Sequence, residues 1–258
     1  MKWPENFINQ VIQGDCLIEM QKIPDKSIDM ILCDLPYGTT ACSWDTIIPF
    51  EPLWEQYKRI IKDNGAIVLT ASQPFTSALV MSNPDMFKYE WIWEKAVGSN
   101  FATLKYQPMK EHENILVFGK GILKYNPQME KRKGSGGERI KHKYNALESK
   151  TGEANGSLEN IERTGKYKEL RNPSSVQFFN NREKERGKHP TQKPVALFEY
   201  LIKTYTNEGD LVLDNCIGSA TTAVAAKQLG RKFIGIELSE KYCAIARGRL
   251  RQEIMSFE

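Results

Sequence analysis

The sequence predicts an α/β protein with a doubly wound, mostly parallel sheet and a basic, loop-rich insertion. Three observations carry that prediction. Short apolar runs end in loop signals, such runs alternate with stretches of helical periodicity, and the periodicity stops over one long polar segment. At 258 residues, 40% apolar and 26% charged, the chain can bury one sizeable core with a smaller appended module.

The elements follow in order. Ile28 to Cys33 is a short apolar run that stops at a Pro and Gly cluster, as a buried strand feeding a loop does, and Asp34-Leu35-Pro36-Tyr37 stands at its C-terminal end. Pro52 to Ile61 has helical spacing, with Asp63-Asn64-Gly65 expected to cap it before a strand over Ala66 to Thr70. Tyr89 to Glu94 alternates like a strand, and Asn114 to Phe118 is a second, so a hairpin extends the sheet. After Gly119 apolar residues become sparse until Pro194, which marks 120–188 as an insertion between 1–119 and 189–258. Val195 to Tyr205 then reads as a helix with Leu197, Tyr200, Leu201 and Tyr205 on one face. A strand over Leu211 to Leu213, a loop from Asp214 to Ser219, a helix from about Ala220 to Leu229 ended by Gly230, and a strand over Lys232 to Glu237 complete a βαβ unit.

Charge is unevenly spread. The net charge is +4, but 120–188 holds 17 Lys+Arg against 9 Asp+Glu, and the rest of the chain 19 against 23. Such a local excess suits a polyanion, and equally a solvated loop. The five cysteines, Cys16, Cys33, Cys42, Cys216 and Cys243, form no C-x-x-C pair and read as reduced core thiols, with no metal site. No apolar run of about 18 residues and no charged-then-apolar leader is visible, so the expectation is a cytoplasmic protein without a membrane partner.

The chemistry concentrates in two places. In the βαβ unit a carboxylate, Asp214, ends the first strand, small residues open the helix, and Glu237 ends the next strand 23 residues on. That pattern belongs to nucleoside-binding folds, in which the second carboxylate accepts hydrogen bonds from ribose hydroxyls. Gly218-Ser219-Ala220-Thr221 lacks the full glycine pattern that a pyrophosphate demands, which points to an adenosine ligand without phosphates, such as S-adenosylmethionine. In Asp34-Leu35-Pro36-Tyr37, a carboxylate and the Leu35 carbonyl on a proline-stiffened loop can accept the protons of an exocyclic base amine, whose lone pair is otherwise delocalised. Tyr37 would offer a flat surface for a base turned out of a duplex. Taken alone, this tetrapeptide is also an ordinary strand-to-loop turn.

The order of these segments removes much of that ambiguity. Asp34-Leu35-Pro36-Tyr37 comes first, a basic stretch next, then His189-Pro190-Thr191-Gln192-Lys193-Pro194, and last Leu211 through Glu237. Over nearly the whole chain outside the insertion this resembles the amino-group DNA methyltransferases of the β arrangement, a Rossmann-like fold with permuted motif order. The resemblance implies S-adenosylmethionine as methyl donor, with Asp15, Cys16, Asp34, Lys193, Asp214, Asn215, Cys216, Gly218, Ser219, Thr221 and Glu237 around it. Asp15 would meet its adenine end and Lys193 its carboxylate. Asp15 following a short apolar stretch is also a natural helix N-cap. Where that family carries an aromatic and a glycine, this chain has Cys216 and Ala220.

The same resemblance implies double-stranded DNA as substrate and assigns catalysis to Asp34, Leu35, Pro36 and Tyr37. Carbon-5 cytosine chemistry needs a cysteine nucleophile, usually after proline, and no Pro-Cys pair occurs here. In the amino-methylating families an aspartate in first position is commoner for adenine and a serine for cytosine, so adenine N6 is expected, with cytosine N4 as the alternative. Target recognition is expected in 120–188, through Lys131, Arg132, Lys133, Arg139, Lys141, Lys143, Arg182, Lys184, Arg186 and Lys188 among Tyr144, Tyr167, Phe178 and Phe179. A homodimer and a separate cognate restriction nuclease in a prokaryotic or phage setting fit the same picture. Two rival classes stay open: a nicotinamide-dependent dehydrogenase, which leaves the tetrapeptide unexplained, and a catalytically silent DNA-binding module.

Overall fold

The computed structural model describes residues 3–39, 45–131, 170–182 and 192–252. The first elements are β1 (Gln10–Gln13), α1 (Cys16–Met20), β2 (Ile28–Asp34), α2 (Phe50–Ile60), β3 (Ile61–Ala71) and α3 (Phe75–Ser82). A hairpin of β4 (Phe87–Ser99) and β5 (Lys110–Phe118) follows, then three short strands, β6 (Glu130–Lys131), β7 (Leu170–Arg171) and β8 (Val176–Phe179). The last described elements are α4 (Val195–Tyr205), β9 (Leu211–Asp214), α5 (Thr221–Gln228), β10 (Lys232–Glu237) and α6 (Glu240–Gln252).

Eight strands form one sheet in the order β1-β10-β9-β2-β3-β5-β4-β8. The strands from β1 to β3 are parallel, β5 runs antiparallel to β3 and β4, and β8 adds in parallel to β4. The central strands are apolar on both faces because both are covered. Ile31 and Cys33 of β2 pack on the side that also buries Leu53, Trp54 and Tyr57 of α2, while Met30 and Leu32 face the side of Leu197, Phe198 and Leu201 of α4. This alternation within a run that reads as uniformly apolar is the doubly wound arrangement in side-chain form.

Connectivity fixes where a ligand can sit. From β2 the chain winds outward to β3, and from β9 it winds the opposite way to β10, so β2 and β9 are neighbours whose crossovers diverge. The crevice beyond their C-terminal ends is the switch point of the sheet. Asp34 ends β2 and Asp214 ends β9, which sets two carboxylates on its rim.

Three expectations change. Asp63-Asn64-Gly65 does not cap α2; the helix ends at Ile60, Ile61 is already extended, and the three residues bulge out of β3 between the pairings Ile28 with Ile61 and Met30 with Ala66. The physical reason is that Ile61 is fully buried and pairs with β2, so the chain cannot stay helical long enough to reach Gly65. Residues 176–179, expected in the insertion, form β8 of the main sheet; Phe179 packs edge-on against Tyr200 and its carbonyl accepts Trp93 Nε1 at 3.0 Å. A compact unit that separates from the sheet-bearing body, Met1–Asn126 with Ser175–Glu258, spans only Pro127–Ser174. Within it, β6 and β7 pair antiparallel and Arg171 donates to Glu130 at 2.8 Å.

The elements without a clear periodic signal are β1, α1, α3, β8 and α6. In α6 the buried face is Cys243, Ala246 and Arg249, small or charged side chains that carry little hydrophobic pattern. No helix among the described residues is long and apolar enough to cross a membrane.

At the bulge, a Cβ on Gly65 would approach the Asp29 carbonyl oxygen to 2.8 Å. Gly65→Ala is expected to lower stability by about 1–3 kcal/mol, because backbone rather than a flexible tip must yield. Urea unfolding should show a lower midpoint at unchanged slope.

Candidate active site

The switch-point crevice opens into a cavity of about 1200 Å³. Asp34, Leu35, Pro36 and Tyr37 from the end of β2 line it, as do Asp15 and Cys16, Lys193, the loop residues Asp214, Asn215, Cys216, Gly218, Ser219 and Thr221, and Glu237 from the end of β10. Residues scattered over more than 200 positions thus share one wall because parallel strands deliver their C-terminal ends to one edge.

At its centre lies an ion cluster. Lys193 Nζ donates to Asp34 Oδ2 at 2.7 Å and lies 3.4 Å from Glu113 Oε2, and Glu113 is paired in turn with Lys95. Lys193 is only 8% exposed. Burial disfavours its charge, but the Asp34 and Glu113 carboxylates outweigh it and raise its pKa above the ordinary lysine value. Burial likewise opposes the Glu113 anion, and Lys193 and Lys95 overcome it, so Glu113 titrates below the ordinary range. The expected partner of Lys193 was a cofactor carboxylate; in the structure two protein carboxylates hold it. Glu113 and Lys95 carry no sequence signal, being two polar positions in the hairpin strands β5 and β4, and only the antiparallel pairing brings them together.

Asp34 is held from three sides. Its Oδ1 accepts from the Tyr37 hydroxyl at 2.8 Å and from Thr70 at the end of β3, and its Oδ2 accepts from Lys193. One lone pair of Oδ2 stays available on the cavity side. The Tyr37 ring stacks on Phe75 at 5.2 Å between centroids, and Lys193 Nζ lies 5.5 Å from its centroid. Pro36 follows Leu35, whose side chain is buried, which fixes the loop that carries the Leu35 carbonyl.

On the other side of the crevice the β9–α5 loop is tied down at several points. Asp214 accepts from Thr222 and from the Cys216 backbone N–H at 3.0 Å, Asn215 accepts from the buried Tyr57 hydroxyl at 2.5 Å, and Arg249 of α6 donates to the Ser219 carbonyl at 3.1 Å. Ala220 adopts φ +67° where the expected family pattern has a glycine, so the left-handed turn survives the substitution at an intrinsic strain of about 1–2 kcal/mol. Glu237 accepts from Gly218 N and Ser239 N, both at 2.9 Å, one on each oxygen, and keeps a second lone pair on each. Asp15 uses Oδ1 to cap α1, at 2.8 Å from Leu17 N, and also lines the cavity.

Cys16 and Cys216 are only partly buried, packing against the core with one side and lining the cavity with the other, which refines the reading of the cysteines as core thiols; Cys33 and Cys243 are fully buried. A hydrogen bond with Cys216 and burial raise the Cys16 pKa far above the ordinary value, and burial pushes Cys33 up to about 12. These thiols stay protonated at neutral pH, and Cys16 and Cys216 act as weakly polar wall. Cys42 lies outside the described residues.

The donor set fits S-adenosylmethionine. Ser72 Oγ and Gln192 Oε1, both in the cavity wall, are buried polar atoms with no hydrogen-bond partner, as expected of a wall shaped for a polar ligand. Glu237 offers paired acceptors for a ribose diol, and the small residues 218–220 let a ligand approach the start of α5. Among the described residues no group of three or more His, Cys, Asp or Glu is placed to hold a metal ion.

Comparison with known proteins agrees with this geometry. The family described as DNA methylase, the N6/N4 methyltransferases, matches residues 28–248. The chain belongs to this family. It is an S-adenosylmethionine-dependent DNA amino-methyltransferase. The methyltransferase is 30% identical to the DNA adenine methyltransferase YhdJ of Escherichia coli, over 96% of this chain and 85% of that one. It is also 30% identical to the type II methyltransferase M1.MboII of Moraxella bovis, over 91% and 94% of the two chains. Its fold is similar to that of the PvuII DNA methyltransferase (cytosine-N4-specific), with a TM-score of 0.64 at 16% identity over 95% of this chain and 90% of that one.

Of the residues expected to bind DNA, Lys131 lies in β6 of the small unit and Arg182 at the cavity of the main body. Arg132, Lys133, Arg139, Lys141, Lys143, Lys184, Arg186 and Lys188 lie outside the described residues, as do Tyr144, Tyr167 and the His189-Pro190-Thr191 part of the segment before α4.

Asp214 supplies a pH test. Burial pushes its pKa up to about 7, against bonds from Thr222 and the Cys216 N–H that favour the anion. The folded state therefore binds this proton more tightly than the unfolded chain, whose aspartate titrates near 4. The stabilisation is full below about pH 4 and is lost as pH rises through about 7. Asp214→Asn can still accept from the Cys216 N–H through its one amide oxygen, meets Thr222 only with that bond reversed so that Nδ2 donates to Oγ1, and removes the titration. The variant's stability relative to the parent should rise between about pH 4 and pH 7 and level off above that, by up to a few kcal/mol, in thermal melts across that range.

Proposed function

We propose that this methyltransferase transfers a methyl group from S-adenosylmethionine to the exocyclic N6 of adenine in duplex DNA, on a base turned out of the helix. The observation that carries the proposal is Asp34: a carboxylate at the switch point, held by Tyr37, Thr70 and Lys193, with a lone pair left towards the cavity. An aromatic amine becomes a nucleophile only as its nitrogen pyramidalises, and acceptors for its two protons favour that change. Asp34 Oδ2 and the Leu35 carbonyl are the two acceptors in this reading. S-adenosylmethionine supplies an electrophilic methyl on a cationic sulfur.

As the amine nitrogen gains the methyl, with the electron pair of the breaking S–C bond left on sulfur, the nitrogen becomes positively charged and gives up one of its protons, for which Asp34 stands as the anionic acceptor before release to solvent. Lys193 moderates that anion in the resting site but is shared with Glu113, which Lys95 also holds, so two cations stand against two anions. Tyr37, clamped between Phe75 and the bond to Asp34, keeps the carboxylate's orientation rather than swinging with the substrate. The aspartate in first position and the likeness to YhdJ, named a DNA adenine methyltransferase, support adenine over cytosine. The type II designation of M1.MboII extends the proposal to a protective methylation that partners a separate restriction nuclease. The small unit and the basic stretch around it serve target recognition, with Lys131 and Arg182 among the phosphate contacts.

Incubation of mixed genomic DNA with the protein and S-adenosylmethionine, followed by sequencing that distinguishes modified bases, should return N6-methyladenine in one short site. N4-methylcytosine in that assay would overturn the base assignment and leave the chemistry standing. Asp34→Ala should reduce single-turnover transfer by about 100-fold or more, the scale of losing a preorganised transition-state partner. Its affinity for duplex DNA should change little. Undiminished turnover would remove Asp34 from the acceptor role.

A further inference from the structure

The loop between β4 and β5 is a second feature of the cavity mouth. Residues Ser99, Asn100, Phe101 and Lys110 line the same cavity as Asp34. From there the loop carries its apolar side chains outward: Phe101 is 60% exposed, Leu104 40% and Tyr106 81%. Soluble chains seldom leave neighbouring aromatics uncovered without a partner.

The loop is built to hold them there. Asn100, at φ +65°, donates from Nδ2 to Thr103 Oγ1 and to the Pro108 carbonyl and accepts the Lys110 N–H at 2.8 Å, which staples both ends. Gln107 Nε2 donates to Thr103 Oγ1 at 2.6 Å across the turn. A loop stapled in this way holds Phe101 and Tyr106 on its exposed side, preorganised for an external surface. The charge is one-sided as well. From Asn100 to Lys110 the loop has two lysines, Lys105 and Lys110, and no carboxylate, and Lys105 Nζ lies 5.8 Å from the Tyr106 ring centroid.

We infer that this loop enters the base stack of the duplex at the target site, with Tyr106 and Phe101 as the stacking wedge and Lys105 and Lys110 against the flanking phosphates. The inference rests on the reading of the cavity as the pocket for a flipped base. An amine must reach Asp34 inside the cavity, so the base has to leave its stack, and the gap needs a substitute. Apolar side chains entering a base step compensate unstacking in other DNA-bending proteins, and aromatic rings stack on any base. A second copy of this chain would find an apolar patch here too, but the lysine excess and the continuity with the cavity favour a polyanion that delivers a base.

The test compares two duplexes carrying the methylation site, one fully paired and one with an abasic position opposite the target base. Phe101→Ala/Tyr106→Ala should lower kcat/KM on the paired duplex by about tenfold or more, the scale of a lost base–aromatic stack. The same variant should stay within about threefold of the parent on the duplex whose target is already unpaired. Tyr106→Trp should retain activity on both, and Tyr106→Ala alone, at a side chain outside the cavity lining, should leave S-adenosylmethionine affinity unchanged. Equal losses on both duplexes, or no loss on either, would overturn the wedge. A change of oligomeric state with transfer intact would reassign the loop to self-association. Failure of the parent protein to methylate either duplex would instead overturn the reading of the cavity itself.

Discussion

The ammonium of Lys193 is the point on which the site depends. It stands between Asp34 and Glu113, and Glu113 reaches Lys95, so two cations and two anions from four separate chain segments meet in one partly buried cluster. Each of these charges would be costly to bury alone, and removing one partner from such a set leaves an uncompensated charge. The cluster therefore pins the end of β2, the hairpin strands β4 and β5, and the segment that leads into α4 relative to one another. Asp34 acquires its orientation from that arrangement and from Thr70 and Tyr37, not from its own loop alone.

The opposite wall is governed by a different kind of constraint. The β9–α5 loop must turn sharply so that α5 can start close to the sheet, and it does so through Gly218 at φ +51° and Ala220 at φ +67°. Arg249, 2% exposed on α6, and Tyr57 on α2 reach this loop from both sides of the sheet. Where the wider family has an aromatic at position 216, a protonated thiol beside Cys16 forms the wall instead, so the pocket is lined there by weakly polar sulfur. Asp214, expected beside a ligand, spends its acceptors on Thr222 and the loop backbone and so acts first as the loop's internal brace.

The two walls together explain why the tetrapeptide can be an ordinary turn in one protein and a reactive site in another. Its chemistry needs an anion that is buried enough to matter, yet left with a free lone pair. It also needs a neighbouring crevice deep enough for two ligands. The first condition comes from the ion cluster and the second from the divergence of the crossovers at β2 and β9.

Sequence by itself determined the class of fold, the central strands and helices, and the residues Asp15, Asp34, Lys193, Asp214 and Glu237 with their loop neighbours that share the cavity wall. It could do so because parallel strands bury both faces, giving continuous apolar runs, and because the ligand-facing residues sit at strand ends that composition marks with Asp, Glu, Gly and Pro. Tertiary structure alone decided the partners. Glu113 and Lys95 are unremarkable polar positions until antiparallel pairing and the return of residue 193 make them neighbours of Asp34. The Asp63-Asn64-Gly65 segment looks like a helix stop but becomes a bulge, since burial of Ile61 against β2 outweighs local turn preference. Val176 to Phe179 reads as loop because four residues hold too little pattern, and only the open edge of β4 makes them a strand. Local signals are short-ranged, whereas charge pairing, edge pairing and burial are settled by residues far apart in the chain.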